Sequence, residues 1–310
     1  MVIEQSENII AEVKKAFTGK DEIIKKVLMA IYAGGHILLE DSPGMGKTTL
    51  ALAFSKALGL SYNRIQFTSD TLPSDIVGYT VFNRQSNQFE YIEGAVNCNL
   101  LLADEVNRTS PKTQSALLQA MAESIITVDG KTHNLPIPFT CIATENPTGT
   151  IGTQPLPESQ LDRFIVRLSI GYPSTQAQMD IIRARKFANP IDKINPVVSA
   201  RDVVEIQNYA SSVKISDDVL RYLITLCEKT RENDYVELGV SPRGIMALTK
   251  MAKVGAVFNE RTYVIPEDIQ YIFFDVCEHR IVLKPQAKIT GITAKDVLDD
   301  ILKSVTPPTV

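Results

Sequence analysis

The stretch "LLEDSPGMGKTTLA", residues 38–51, decides how the rest of the chain is read. Gly46, Lys47 and Thr48 stand where the phosphate-binding pattern G-x-x-x-x-G-K-[ST] wants them, but its opening position holds Asp41 in place of glycine. Such loops work because successive backbone N–H groups converge on phosphate oxygens at the positive end of the following helix. The context fits: the apolar strand "HILLE" (36–40) enters the loop and a helical pattern from about Lys47 to Leu58 leaves it. Pro43, Gly44, Met45, Gly46, Lys47, Thr48 and Thr49 are therefore candidate nucleotide contacts. The glycines allow close backbone approach, Lys47 reaches the β and γ phosphates, and the Thr48 hydroxyl is a ligand for Mg²⁺. Were the first position to need a positive φ, Asp41 would soften the usual penalty of roughly 1–2 kcal/mol, because its side chain bonds locally. Its carboxylate is expected to turn away from the phosphates and cap nearby N–H groups.

The apolar run "NLLLADE" (99–105) delivers Asp104 to a strand's C-terminal end, where it can hold the water shell of Mg²⁺. Glu105 follows, placed to orient or deprotonate an attacking water, so the two segments complete one another's chemistry. After the strand "FTCIAT" (139–144), Asn146 is positioned to sense a γ-phosphate, although alone it reads as a turn residue before Pro147. In "LPESQLDRF" (156–164), Arg163 is either an arginine finger or half of a surface ion pair. In "SPRG", Arg243 opens a helix, where its charge opposes the helix dipole unless a phosphate lies nearby.

The 310 residues suffice for two domains at roughly 150 each. Up to about residue 190, short apolar runs alternate with helical stretches, the pattern of a parallel sheet flanked by helices; "RIQF" (64–67) and "FIVRLSI" (164–170) complete the strand candidates. Asp21 is a candidate cap for the helix before "HILLE". Two inserts, 77–96 and 125–135, read as hairpins, the second on its Asp129-Gly130 turn. From about residue 196 the chain is helix after helix, with Ser199, Ser216, Ser241 and Thr293 as N-caps, and the second domain is set at 191–310. A net charge of −4 gives no overall support for nucleic-acid binding. No apolar run approaches the ~18–20 residues of a membrane span, and the N-terminus does not read as a secretory signal. Cys98, Cys141, Cys227 and Cys277 are scattered through apolar stretches and read as buried free thiols. The three histidines form no metal-ligand spacing, and the whole reads as cytoplasmic.

In their order and spacing, "LLEDSPGMGKT", "LLLADEVNRTSPKTQSALLQAMAE", "IATENP", "GTQPLPESQLDRF", "GVSPRG" and "HRIVL" resemble the MoxR family of AAA+ ATPases, over roughly residues 8–285. The resemblance implies an α/β P-loop domain of αβα type with a five-stranded parallel sheet, an all-helical lid domain, and a ring, expected to be a hexamer, with ATP sites between subunits. It makes Lys47 and Thr48 the Walker A residues, Asp104 and Glu105 the Walker B pair, Asn146 sensor 1, Arg163 the finger and Arg243 sensor 2. The family often carries an acidic residue at the Asp41 position. Asn107 and Arg108 fit a helix-start hydrogen-bond network as well as a phosphate contact, and Lys112 and Gln114 are expected on the surface. Glu158 and Asp162 face a choice between a subunit interface and pairing with nearby arginines.

The activity so implied is ATP hydrolysis with Mg²⁺, driving chaperone-like remodelling of a protein client; usual partners of the family carry von Willebrand factor A domains. A nucleic-acid motor would want cations on the hairpins, which offer only Arg84 and Lys131. An ATP-gated scaffold with little hydrolysis would not need Glu105, Asn146 and Arg163 together.

Overall fold

The computed structural model describes residues 2–42, 44–146, 155–185 and 189–309. Five strands form a wholly parallel sheet: β1 (Ile37–Glu40), β2 (Tyr62–Gln66), β5 (Leu100–Asp104), β8 (Thr140–Glu145) and β9 (Val166–Leu168), in the order β2-β5-β8-β1-β9. Strands buried on both faces read as unbroken apolar runs, and alternate residues here enter different cores. Ile37 and Leu39 pack with α1 (Val2–Lys14), α2 (Asp21–Tyr32) and α3 (Lys47–Ala57). Leu38, Leu101, Ala103 and Cys141 pack on the other face, which α4 (Pro73–Val77) and α5 (Pro111–Glu123) cover. This is the expected three-layer α/β architecture.

Both inserts are separate two-stranded ribbons outside the central sheet. The first pairs β3 (Tyr79–Asn83) with β4 (Gln88–Ile92), and the second pairs β6 (Ile125–Val128) with β7 (Lys131–Asn134). The short α6 (Glu158–Leu161) precedes β9, and α7 (Thr175–Arg185) follows it.

The second half runs α8 (Ala200–Ser211), α9 (Asp217–Glu232), α10 (Pro242–Phe258), α11 (Pro266–Cys277), α12 (Pro285–Ile289) and α13 (Ala294–Ser304). A small ribbon of β10 (Val236–Leu238) and β11 (Val282–Leu283) interrupts the helices. Ser199, Ser216, Ser241 and Thr293 all cap as their positions predict, each hydroxyl accepting a first-turn N–H. Asp21 does not: Lys20 is the N-cap of α2, and Asp21, one residue inside, pairs instead with Lys14 at 2.6 Å. Gln114 is likewise no surface residue; it is buried, with its amide donating to the carbonyls of Val106 (3.2 Å) and Thr109 (3.4 Å). Lys112 is exposed as expected, and all four cysteines are buried free thiols.

Candidate functional site

In open parallel sheets, ligands bind beyond the C-terminal ends of the strands. β1, β5 and β8 are neighbours around the sheet centre, so topology alone brings the phosphate loop, the Asp104–Glu105 pair and Asn146 to one edge.

The loop takes the backbone its glycines allow: Gly44 and Gly46 have φ of +87° and +86°, in the left-handed region that glycine tolerates best. A Cβ on Gly46 would also stand 3.1 Å from the Phe17 ring. Pro43 lies outside the described residues. Thr48 and Thr49 are half-buried in the first turn of α3, and Lys47 is buried. Its ammonium donates to the Asp41 carbonyl at 2.7 Å. Burial lowers the Lys47 pKa, and the charges of Asp104, Asp41 and Glu105 work against that fall. The Asp41 side chain does not enter the loop. Its oxygens accept the Ile170 N–H at 2.6 Å, the Gly171 N–H at 3.0 Å and the Ser169 hydroxyl at 2.9 Å.

Thr144 organises the acidic pair. Its hydroxyl donates to Asp104 Oδ1 at 2.7 Å and accepts the Glu105 N–H at 2.8 Å. Glu105 sits at φ +58°, a conformation that costs a non-glycine residue on the order of 1–3 kcal/mol and points to a constrained site. Its carboxylate accepts the Asn146 amide at 3.0 Å and an Arg108 N–H at 2.7 Å. Burial raises the Glu105 pKa, but these bonds and the Arg108 charge outweigh it, leaving a carboxylate more acidic than usual. Asn107 supports the same cluster by donating to the Asn146 carbonyl at 3.1 Å.

Two contributors escaped the sequence reading. Arg64, on β2, holds Asp104 Oδ2 at 2.8 Å; it lies two residues before Gln66, the register partner of Asp104, and so on the same face. The second is a cavity of about 310 Å³ beside the loop, whose lining includes Phe17, Gly44, Gly46, Ile170 and Tyr172. Its size lies at the lower end of the roughly 300–1,000 Å³ of ligand pockets, and its apolar walls suit a flat ring. Neither Phe17 nor Tyr172 belongs to a phosphate motif, so no local pattern marks them.

Arg163 and Arg243 do not join this cluster. They share a different cavity, about 270 Å³, with Lys250 and Arg280, walled by Gly35, His36 and Ile165. His36 and Ile165 immediately precede β1 and β9, so this cavity opens at the opposite edge of the sheet from the loop. Five steps of extended chain separate His36 from Asp41, about 16 Å at ~3.3 Å per residue, too far for an arginine side chain to bridge. Arg163 donates to the Leu118 carbonyl at 2.7 Å and leaves its Nε without a partner among the described residues. Arg243 is exposed. Within one chain Arg243 and the loop therefore do not meet, since α10 packs at the far edge. Asp162 pairs with Arg280 at 2.8 Å, the pairing with a nearby arginine that one of its two readings expected.

The loop edge suits a metal that takes few protein ligands. No group of three or more His, Cys, Asp or Glu among the described residues could hold a metal ion. One hydroxyl (Thr48) and one carboxylate (Asp104) suit Mg²⁺, which draws its remaining oxygens from phosphates and water.

Comparison with known proteins gives this geometry relatives. Residues 36–166 match the ATPase family associated with various cellular activities (AAA), and residues 228–301 match the AAA lid domain. The uncharacterized protein YeaC of Bacillus subtilis is 44% identical over 96% of this chain and 93% of its own. Chaperone MoxR1 of Mycobacterium tuberculosis is 35% identical over 98% of this chain and 82% of its own. A crystal structure of a candidate ATPase from Cytophaga hutchinsonii superposes with a TM-score of 0.91 at 37% identity, covering 99% of this chain and 96% of that one.

Proposed function

This chain belongs to the MoxR family of AAA+ ATPases, and on that premise we propose that it hydrolyses ATP at sites completed by a neighbouring subunit. One observation carries the proposal: the phosphate loop with Asp104, Glu105 and Asn146 lies at one edge of the sheet, and Arg163 with Arg243 at the other. Phosphoryl transfer rests on charge stabilisation, in which an arginine finger contributes roughly 10³–10⁵ in rate. In a closed ring of like subunits, the arginine edge of one faces the loop edge of the next. Such a ring, a hexamer in our reading, uses every residue of both sets.

Within the site, the loop from Gly44 to Thr49 cradles the phosphates and Lys47 pairs with the β and γ oxygens. The apolar cavity beside Phe17 and Tyr172 takes the base. Mg²⁺, held by Thr48 and Asp104, would neutralise charge on the phosphate oxygens. Glu105, ionised at neutral pH and fixed by Asn146 and Arg108, orients the attacking water and takes its proton. Asn146 links that base to the γ-phosphate position. The core extends to about residue 190 and the lid follows.

The output is remodelling of a protein client, with von Willebrand factor A domain proteins as the favoured class. The β3–β4 ribbon supports this over nucleic acid. It exposes Tyr79, Phe82 and Phe89, with the two phenylalanine rings edge to face at 5.2 Å, and Arg84 is its one cation. A phosphate backbone would need cations there. No helix among the described residues is long and apolar enough to cross a membrane. Buried free thiols fit the reducing cytoplasm, where we place the protein.

Mixing tests the shared site. Arg163→Ala subunits lack the finger, and Glu105→Gln subunits lack the base; each alone should bind ATP and turn over very slowly. Mixed assemblies should regain turnover, because a Glu105→Gln subunit lends its arginines to the intact site of its neighbour. No recovery in an assembled mixture would refute sharing, and wild-type turnover by Glu105→Gln would refute the base.

A further inference from the structure

Arg163 and Arg243 come from segments 80 residues apart, yet one buried ion pair ties both to the same anchor. Arg280, in the turn after α11, is only 6% exposed. Its Nε donates to Asp162 Oδ1 at 2.8 Å. Its Nη2 donates to the carbonyls of Asp162 (3.3 Å) and Phe164 (2.5 Å), and Nη1 reaches the carbonyl of Ile165 (3.4 Å). The guanidinium thus grips the main chain on both sides of Arg163. The other oxygen of Asp162 accepts the Ser241 hydroxyl at 2.8 Å, and that hydroxyl accepts the Gly244 N–H at 3.1 Å, capping the helix turn that carries Arg243. Gly244 leaves room for the arm of Arg280: a Cβ there would stand 2.8 Å from Arg280 Cδ and 2.6 Å from Val240 Cγ1.

A buried pair of this kind adds little net stability, because desolvation offsets its attraction; its planar, multiply bonded geometry fixes position. We propose that Asp162–Arg280, with Ser241, is a positioning unit that locks Arg163 and Arg243 into one rigid approach to the neighbouring subunit's phosphates. The lid and the finger segment then move together. This rests on the reading that the two arginines act across subunits.

The test is Asp162→Asn, which keeps the volume but removes the charge. Nucleotide affinity of its own loop, measured with a fluorescent ADP analogue, should stay within about twofold of wild type, while kcat falls by about 10²-fold, the usual cost of a misplacement near 1 Å. In an Arg163→Ala, Arg243→Ala background the same change should cost at most about a further twofold, because both groups it positions are already gone. Mixing with Glu105→Gln subunits, whose arginines are correctly held, should restore turnover. Wild-type kcat, additive losses, or no rescue by mixing would overturn the positioning role. Arg163→Ala alone reports on the shared-site reading: if it keeps full turnover, that reading falls, whatever Asp162→Asn does. Should Asp162→Asn not fold, Ser241→Ala removes the link to Asp162 together with the N-cap of α10 and should lower kcat about tenfold. That loss should vanish in an Arg243→Ala background, and an unchanged kcat would overturn the proposal.

Discussion

The Asp41 carboxylate accepts the Ile170 N–H at 2.6 Å, clamping the exit of β1 to the exit of β9. The residue that breaks the phosphate-loop pattern thus holds together two strands of the sheet. Its φ is not in the left-handed region, so the position makes no demand for glycine. Restoring the consensus with Asp41→Gly should therefore harm the protein. It strips charged acceptors from the Ile170 and Gly171 N–H groups and should cost about 3 kcal/mol, given ~1.5–3 kcal/mol for each hydrogen bond to a charged group. Urea denaturation would measure the loss, and nucleotide affinity should not improve. A loss below about 1 kcal/mol would mean that water replaces the clamp without penalty.

Arg108 lies 2.7 Å from Glu105 and is one of the groups that hold its carboxyl below the ordinary range. A general base works only when ionised. Arg108→Ala should raise the Glu105 pKa and move the acid limb of the kcat profile to higher pH, leaving the neutral plateau nearer to wild type. A profile that drops uniformly, with its acid limb in place, would instead assign Arg108 to direct phosphate contact.

Phe82 and Phe89 are 49% and 69% exposed, so their rings contribute little to folding. The double change to serine should alter stability by no more than about 0.5 kcal/mol and leave basal ATP turnover unchanged. It should sharply reduce recovery of a client on immobilised Glu105→Gln protein. Equal recovery with and without the rings would move the client surface elsewhere.

What the sequence disclosed, and what it hid, divides along physical lines. The phosphate loop, the acidic pair and Asn146 lie in contiguous stretches where a strand ends and a loop begins, so spacing alone places them on one edge. Ser241 and its fellow caps are local too. Arg64 was invisible because its partner Asp104 lies 40 residues away and only strand register brings them together. Gln114 misled because a glutamine on a helix is usually exposed, whereas here two carbonyls of the preceding turn need its amide. Arg243 was read as a nucleotide contact from its residue type and place at a helix start, but which edge of the sheet it occupies depends on how α10 docks, and no local pattern records that.

Glu145 offers a test through pH. It ends β8 directly opposite Glu40 in the ladder with β1, and its Oε1 is buried without a hydrogen bond among the described residues. Burial first, then the charge of Glu40, push its carboxyl up from 4.5 to about 7, against the lowering pull of the Leu156 N–H and Arg167. Between those two values Glu145 binds more proton in the folded chain than in the unfolded one, so its own contribution to stability falls as pH rises through that window. His36 and His279, whose pKa values burial lowers, act in the opposite sense. The full separation corresponds to at most about 3 kcal/mol, at ~1.36 kcal/mol per pH unit. Glu145→Gln keeps the shape and removes the titration. The difference in unfolding free energy between variant and wild type should therefore widen in the variant's favour from about pH 5 to about pH 8. Urea midpoints across that range decide the matter: parallel curves would show that Glu145 stays ionised in the folded protein, shielded by Arg167.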